Sequence, residues 1–110
     1  RFVRATSTEG LLRFVSVVVA TRGSKGSTVY TREGRIPIPR VRPSRVVDVT
    51  GAGDAYRAGF YAGLSRDLDL RQCGILGSTV ASFVIEEKGP QTRLPNWAEV
   101  LRRARRYAPF

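Results

Sequence analysis

The chain has 110 residues, of which 42% are hydrophobic and 25% are charged, and its formal net charge at neutral pH is +10. This composition is typical of one globular domain or part of one, and no apolar run reaches the ~18 residues of a membrane-spanning helix. The absence of His removes His-based catalysis and most transition-metal sites from this segment, and the single Cys73 excludes an internal disulfide.

The start of the chain indicates a segment of a longer protein. It begins with Arg1 and contains no Met. We therefore expect residues 1–110 to form a single partial domain. No signal peptide and no membrane-spanning stretch are visible, which favours a cytoplasmic protein without a membrane partner.

Basic residues are in excess, and all of them except Lys25 and Lys88 are Arg. Such an excess is compatible with nucleic-acid binding, with an anionic substrate such as a nucleotide, or with a genome rich in Arg codons. One dense run, Arg102-Arg103-Ala104-Arg105-Arg106, predicts a solvated basic helix face. A basic nucleic-acid-binding module is kept as the less favoured alternative, because charge alone is a weak signal.

The first predicted elements are short. Residues Thr6 to Phe14 predict a short capped helix. The β-branched run at Ser16–Ala20 predicts a strand buried on both faces, as in a parallel sheet. Ser27–Thr31 alternates like a strand, Glu33-Gly34 predicts a turn, and Arg35–Ile38 returns as the second strand of a hairpin.

A glycine-containing turn, Thr21–Gly26, follows the first strand. Its glycines permit a tight turn whose N–H groups converge on an anion, and Lys25 would add positive charge. From these residues alone, a simple hairpin turn is the favoured interpretation. Three prolines, Pro37, Pro39 and Pro43, indicate an irregular or edge path. We expect Arg40, Arg42 and Arg45 to face solvent, and a role near a phosphate is the alternative, for which the sequence gives no support.

The middle of the chain predicts an extended end at Val46-Val47, a turn at Gly51-Ala52-Gly53 and a helix over Ala55–Ser65. The first N–H groups of a helix have no partner inside it, and glycines let a phosphate approach them. A carboxylate would repel a phosphate that only had to be bound there. Asp54 is therefore better explained as a general base, with an N-terminal helix cap as the alternative.

Two more helices are predicted downstream. Asp69 is placed to cap a helix over Leu70–Ile85, and Asn96 is placed to cap the last helix. Gly59 and Gly63 are four residues apart, so they would let the first helix pack closely against a neighbour.

The middle stretch resembles a family signature. Asp48-Val49-Thr50-Gly51-Ala52-Gly53-Asp54-Ala55-Tyr56-Arg57-Ala58-Gly59-Phe60 is similar to the second signature of the ribokinase-like (PfkB) sugar and nucleoside kinases, D-T-x-G-A-G-D-x-F-x-A-G-F. It departs mildly at Val49 and Tyr56, where Thr and Phe are usual. Thr21–Gly26 is also similar to the family's T-x-G-x-x-G turn, which lies against the nucleotide phosphates.

This resemblance implies the fold and the place of the chain within it. We expect an α/β structure that forms the C-terminal part of a ribokinase-like three-layer α/β/α sandwich, with a β-hairpin and about three helices. The upstream part of such an enzyme supplies more strands and most of the sugar-binding side.

The resemblance also implies the site of an ATP-dependent kinase. Asp54 is the expected general base, Gly51, Ala52 and Gly53 form the expected anion hole, and Mg²⁺ neutralises the phosphates of ATP. The implied nucleotide-binding positions are Thr21, Gly23, Ser24, Lys25, Gly26, Ser78 and Gly89. At Ser78 the family often has Asn or His beside the adenine, and the serine hydroxyl can still form a hydrogen bond.

A monovalent cation site is indicated by one feature and opposed by another. Glu86-Glu87-Lys88-Gly89-Pro90-Gln91-Thr92 resembles a family loop that lends carbonyl oxygens to such a cation, with Asp48 and Thr50 on the other side. Arg93 aligns with the family's hydroxyl-bearing ligand, and it has no acceptor and would repel a cation.

The acceptor and the completeness of the site stay open. Fructose phosphates, ribose, ketodeoxy-sugar acids and nucleosides are all compatible with the sequence, and residues 81–92 slightly favour nucleosides. The main alternative is an inactive or nucleotide-binding-only fragment that keeps these motifs and lacks the acceptor pocket. Oligomeric state is also open, with a homo-oligomer among the options.

Overall fold

The computed structural model describes residue 12 and residues 15–88 and 95–110, so the helix predicted over Thr6–Phe14 lies outside the described residues. Three strands, three α-helices and one 3-10 turn form in the described ranges. They are β1 (Val17–Thr21), the turn (Gly23–Lys25), β2 (Ser27–Thr31), β3 (Gly34–Ile38), α1 (Ala52–Ser65), α2 (Leu70–Val84) and α3 (Trp97–Ala104). The predicted hairpin and three helices are thereby confirmed. None of the helices found in these ranges combines the length and apolarity needed to cross a membrane.

The three strands form one antiparallel sheet in the order β1-β2-β3. At its centre Val29 of β2 pairs with Val19 on one side and with Ile36 on the other. The prediction for β1 was wrong in two respects. Its partner among the described residues is antiparallel, and its residues are half-buried or exposed. A β-branched run indicates a strand but not the direction or cover of its neighbours.

The helices cover the sheet through α2, which packs on β2 and β3, while α1 and α3 pack on α2. The resulting core joins Val29 and Ile38 of the sheet to Tyr56 and Phe60 of α1 and Leu76 of α2. Apolar burial in this cluster is the main force that holds the sheet and the helices together. The described residues therefore have the expected α/β arrangement.

Helices α1 and α2 approach closely because glycines line their contact. A Cβ added to Gly59 would lie 2.6 Å from the carbonyl oxygen of Leu76, and one added to Gly63 would lie 2.8 Å from Sγ of Cys73. Neither position has room for a methyl group without movement of the neighbour. The close packing predicted at Gly59 and Gly63 is confirmed. Cys73 itself is buried and free, as expected of a small apolar residue, and burial raises the pKa of its thiol.

The caps of α2 and α3 are those that the sequence predicts. Asp69 accepts a hydrogen bond from the N–H of Gln72 at 2.8 Å, and Asn96 accepts one from the N–H of Glu99 at 2.9 Å. In both cases the third residue of the helix returns a bond to the cap, which completes a capping box.

Helix α1 begins earlier than predicted, at Ala52 instead of Ala55. Gly51 is its N-cap and has a φ of 82°, a left-handed conformation that glycine adopts without steric penalty. Asp54 therefore lies within the first turn of the helix. The extended end predicted at Val46-Val47 is not a strand, and the chain from residue 39 to residue 49 is irregular.

One arginine of the basic run faces inward. Arg103 comes three residues after the buried Val100, at the edge of the apolar face of α3, and its side chain is only 12% exposed. Its guanidinium lies 3.7 Å above the ring of Phe83 and pairs with the carboxylate of Glu86. The other three arginines of the run are exposed. The single solvated basic face expected from the sequence is therefore interrupted by Arg103.

Candidate functional site

A cleft of about 380 Å³ opens between the turn after β1, the start of α1 and one side of α2. The cleft is lined by seven residues that the sequence assigns to a nucleotide or catalytic site: Thr21, Gly23, Ser24, Gly26, Ala52, Gly53 and Ser78. They come from three separate parts of the chain. The fold therefore brings most of the predicted site together in one place.

The turn after β1 presents main-chain donors to the cleft. The N–H groups of Lys25 and Gly26 bond back to the carbonyls of Arg22 and Gly23, at 3.1 and 3.2 Å. Those of Gly23 and Ser24 donate to no acceptor in the described ranges. Two donors on one tight turn make a concave site that suits an anion. Lys25 is exposed and is not among the cleft-lining residues, and its role as a nucleotide-binding residue stays a prediction.

Gly26 closes this turn in a conformation that only glycine allows there. Its φ is 84°, and an added Cβ would lie 2.5 Å from the carbonyl oxygen of Ile38. The backbone of β3 thus approaches the turn directly. The second glycine of the predicted T-x-G-x-x-G pattern is therefore required by the packing of the turn itself.

The start of α1 forms the opposite side of the cleft. Here the N–H of Ala52 bonds to the carbonyl of Val49 at 3.2 Å, so it is not available to a ligand. The N–H groups of Gly53 and Asp54 donate to no described acceptor. The helix dipole adds positive potential at this end. The N–H groups of Gly53 and Asp54 are therefore placed to receive an anion, while the N–H of Ala52, which belongs to the predicted anion hole, is engaged.

Asp54 projects from this helix end into solvent. Its side chain is 82% exposed and forms an ion pair with Arg57, which is 68% exposed. The carboxylate is not among the cleft-lining groups, although its neighbour Gly53 is. It is therefore accessible from solvent beside the cleft.

The residues of the predicted cation site are engaged in a local turn. The N–H of Thr50 donates to a carboxylate oxygen of Asp48 at 2.9 Å, and neither side chain lines the cleft. Gly89 and Arg93, which bear on the same prediction, lie outside the described residues. The cation site stays a prediction.

Ser78 and Arg40 line the cleft from α2 and from the loop after β3. The hydroxyl oxygen of Ser78 accepts a hydrogen bond from the N–H of Val41 at 3.0 Å, which fixes that loop on α2. The predicted solvent-facing position of Arg40 was wrong, because it is half-buried at the cleft. Arg40 forms no hydrogen bond or ion pair with a residue in the described part of the chain, so its charge is available to an anion.

Tyr56 and Ser27 add a polar pair to the cleft wall that sequence reasoning missed. Their hydroxyl oxygens lie 2.8 Å apart, and both side chains are buried. Burial raises the pKa of Tyr56, while its hydrogen bond to Ser27 acts in the opposite direction. The only signal for this pair was the presence of Tyr where the family signature has Phe.

The predicted magnesium has no ligand set among the described residues. In residues 12, 15–88 and 95–110, no group of three His, Cys, Asp or Glu side chains is placed to hold a metal ion. Near the cleft, Asp54 is already paired with Arg57. The chain's own side chains in these ranges therefore do not fit a built metal site.

Comparisons with known proteins agree on one family. The profile of the pfkB family carbohydrate kinases matches residues 6–97. The nucleoside kinase of Methanocaldococcus jannaschii is 46% identical over 96 residues, which cover 87% of this chain and 32% of that protein. Its crystal structure, described as that of an archaeal member of the ribokinase family, matches with a TM-score of 0.86 at 44% identity, over 91% of this chain and 33% of the other.

Two further structures match over most of the chain. The nucleoside kinase of Burkholderia thailandensis in complex with inosine has a TM-score of 0.87 at 36% identity, over 93% of this chain and 33% of that one. The ribokinase of Arabidopsis thaliana, complexed with ribose and ATP, has a TM-score of 0.76 at 28% identity, over 82% and 29%. The fold is thus ribokinase-like, and the chain spans about a third of the length of the curated relatives that it matches.

Proposed function

We propose, since the chain belongs to the pfkB family of carbohydrate kinases, that it supplies the nucleotide-binding and catalytic part of an ATP-dependent kinase whose acceptor is a hydroxyl group. A nucleoside is the favoured acceptor. Two nucleoside kinases match this chain at 46% and 36% identity, and the ribokinase matches it at 28%.

The observation that supports this function most directly is the start of α1. An exposed carboxylate, Asp54, stands next to two N–H groups without described acceptors, those of Gly53 and of Asp54 itself. In the proposed reaction Asp54 takes the proton of the acceptor hydroxyl, and its partner Arg57 orients the carboxylate. The two N–H groups stabilise the negative charge on the transferred phosphoryl oxygens.

The cleft suits the nucleotide. The N–H groups of Gly23 and Ser24 and the guanidinium of Arg40 offer positive potential to its phosphates. Val46 and Ile85 give the cleft an apolar part against which a base can pack. Since the described side chains offer no ligand set of their own, Mg²⁺ would enter together with ATP and would neutralise charge on its phosphates. Removal of the hydroxyl proton and stabilisation of the phosphoryl charge involve only the chain's own groups.

A chimera tests the proposed catalysis, because this chain covers a third of its relatives. It carries this chain in place of the matching third of the M. jannaschii nucleoside kinase. We expect Asp54→Asn to lower kcat by roughly 10²- to 10⁴-fold, the range of general-base contributions. The Kd for ATP should change little, because no cleft-lining group is altered.

The matched control for this test is Asp67→Asn. Asp67 is exposed at the far end of α1 and has a φ of 57°, which Asn also adopts readily. This variant should keep the normal rate. An Asp54→Asn chimera with near-normal turnover would rule out the proposed base.

An assay of this chain by itself, without the remaining two thirds of its relatives' length, tests the main alternative, which is a fragment that only binds nucleotide. We expect the chain to bind ATP with little turnover, because the relatives' other two thirds would hold the acceptor. If the chimera also binds ATP without phosphorylating a nucleoside or sugar, the chain is better described as a nucleotide-binding fragment. If neither binds ATP, the proposed function is wrong at its first step.

A further inference from the structure

We infer that Arg103 and Glu86 are positioning residues that hold one wall of the cleft in place from behind. The wall is the segment Ser44–Val49, two of whose residues, Val46 and Val49, line the cleft. Neither Arg103 nor Glu86 lines the cleft itself. The inference rests on the proposed function in that it takes the occupant of the cleft to be a nucleotide.

The ion pair is largely but not fully buried, and one of its oxygens also bonds to the wall. Oε2 of Glu86 accepts a hydrogen bond from Nη1 of Arg103 at 2.7 Å and another from the main-chain N–H of Ser44, also at 2.7 Å. The two ionised side chains are only 12% and 15% exposed. Both charges are thus paired away from bulk water, where each depends strongly on the other.

Arg103 also donates hydrogen bonds both to the wall and to helix α2. Its Nη1 donates to the hydroxyl of Ser82 at 2.9 Å, and its Nη2 donates to the hydroxyl of Ser44 at 3.3 Å. Ser82 lines the cleft from α2. The flat guanidinium meanwhile packs on the ring of Phe83. A planar group with several donors suits this arrangement, and a lysine could reproduce only part of it.

Three more hydrogen bonds continue the same attachment along the segment. The N–H groups of Val47 and Asp48 both donate to the carbonyl oxygen of Ile85, at 2.8 and 3.2 Å. Nε of Arg45 donates to the carbonyl oxygen of Glu86 at 3.1 Å. The acceptors of all three bonds lie in the turn at the end of α2, and the same turn carries the carboxylate of Glu86.

Apolar burial does not hold this wall. Val46 and Val49 are 57% and 67% exposed, so few neighbours fix their positions. The polar contacts at Ile85, Glu86 and Arg103, together with the bond from the N–H of Ala52 to the carbonyl of Val49, therefore set where the wall stands. Loss of these contacts should let the wall move without removing any group that touches the reacting atoms.

The predicted consequence is weaker nucleotide binding with retained chemistry. In the chimera we expect Arg103→Met to raise the KM for ATP about tenfold, within the range of coupling between residues of one network. The kcat at saturating ATP should stay close to that of the parent. Arg103→Lys, which keeps the charge, should recover part of the loss, and Glu86→Gln should resemble Arg103→Met.

The matched control is Arg102→Met on the same helix. Arg102 is exposed, so this variant makes the same chemical change without touching the wall. It should leave both the KM for ATP and the melting temperature unchanged. If Arg103→Met does not fold, Arg103→Lys and Glu86→Gln carry the test.

Amide hydrogen exchange in the 110-residue chain separates this inference from the proposed function. In Arg103→Lys we expect faster exchange at the amides of Ser44, Val47 and Asp48, with unchanged exchange in β2. Unchanged exchange at these three amides, or variants that lose kcat and keep the KM for ATP, would overturn the positioning role. A parent chimera that does not bind ATP would instead overturn the proposed function, and the exchange result would still decide whether Arg103 holds the wall.

Discussion

The hydroxyl of Tyr56 lies 2.8 Å from the hydroxyl of Ser27, and this contact joins helix α1 to the first residue of β2. Both residues are buried and both line the cleft. The contact therefore connects the two sides of the candidate phosphate site, the turn that ends at Gly26 and the helix that begins at Ala52.

Removal of one hydroxyl of this pair should destabilise the chain. Ser27→Ala leaves the Tyr56 hydroxyl buried without its partner, and we expect the free energy of unfolding to fall by about 1–3 kcal/mol. The double variant Ser27→Ala with Tyr56→Phe should lose less than the sum of the single variants, because it leaves no orphaned hydroxyl. Urea unfolding followed by circular dichroism measures these differences. Tyr61→Phe is the control, since Tyr61 is 62% exposed and should give no change.

The same tyrosine predicts a pH dependence of stability. Burial is the largest effect on the pKa of Tyr56 and raises it, so the folded state favours the neutral phenol. Its contribution to stability is then complete below the pKa of the unfolded chain, about 10, and is lost as the pH rises through the folded pKa. Tyr56→Phe should remove this component, which a comparison of urea midpoints between neutral and alkaline pH would detect. Equal slopes in the two proteins would contradict the prediction.

Gly53 and Gly59 should respond in opposite ways to the same substitution. An added Cβ at Gly53 meets nothing within 4 Å, so Gly53→Ala should stabilise α1 by about 0.5–1 kcal/mol through helix propensity. At Gly59 the Cβ would meet the backbone of α2, and we expect a loss of about 1–3 kcal/mol. Thermal unfolding of the two variants checks both signs.

Gly53→Ala should also separate stability from activity. Gly53 lines the cleft, so a methyl group there would add bulk close to the two free N–H groups that the proposed function assigns to the phosphoryl group. In the chimera we expect kcat/KM for ATP to fall while the melting temperature rises. A variant that is more stable and equally active would show that no phosphate comes close to Gly53.

Arg40 and Arg42 allow a matched test of whether positive charge in the cleft contributes to ATP binding. Arg40 lines the cleft without a described partner, whereas Arg42 is exposed two residues away. We expect Arg40→Met to weaken ATP binding by roughly tenfold, a typical value for one charge-assisted hydrogen bond. Arg42→Met should have little effect, and the Arg40 effect should shrink at high salt. Titration calorimetry with ATP at two salt concentrations measures both.

The two glycines of the turn between β1 and β2, Gly23 and Gly26, should differ in how much stability is lost when they are substituted. Gly26→Ala forces a Cβ against the carbonyl of Ile38, in addition to a positive φ, and should destabilise the chain by about 2 kcal/mol or more. Gly23→Asn should be tolerated, because Gly23 has open space around it and a φ of 57° that Asn adopts readily. Similar unfolding midpoints for the two variants would contradict the requirement for glycine at position 26.

The parts of the fold that sequence predicted well are those set by neighbouring residues. The hairpin around Glu33-Gly34 and the caps at Asp69 and Asn96 depend on residues within three or four positions, and all three were confirmed. The start of α1 was predicted at Ala55, whereas the helix already includes Ala52 and Gly53. These two small residues show no apolar periodicity that would indicate a helix.

The parts that sequence missed depend on distant residues. Arg103 looked like one member of a solvated run, because its partners Glu86 and Ser44 are 17 and 59 positions away. Arg40 looked exposed for the same reason, since the cleft that it lines is assembled from the β1–β2 turn and α2. The local charge pattern, in the loop for Arg40 and in the helix for Arg103, could not show that either guanidinium faces inward.

The lining of the cleft extends along the chain from Thr21 to Ile85, so the cavity exists only when the sheet and helices α1 and α2 are assembled. Any molecule that occupies it must bind the native state and not the unfolded chain. Such a molecule would raise the midpoint of thermal denaturation in proportion to the logarithm of its concentration. A melting scan against a panel of nucleotides, nucleosides and sugars would therefore rank the occupants of this cavity without the need for turnover.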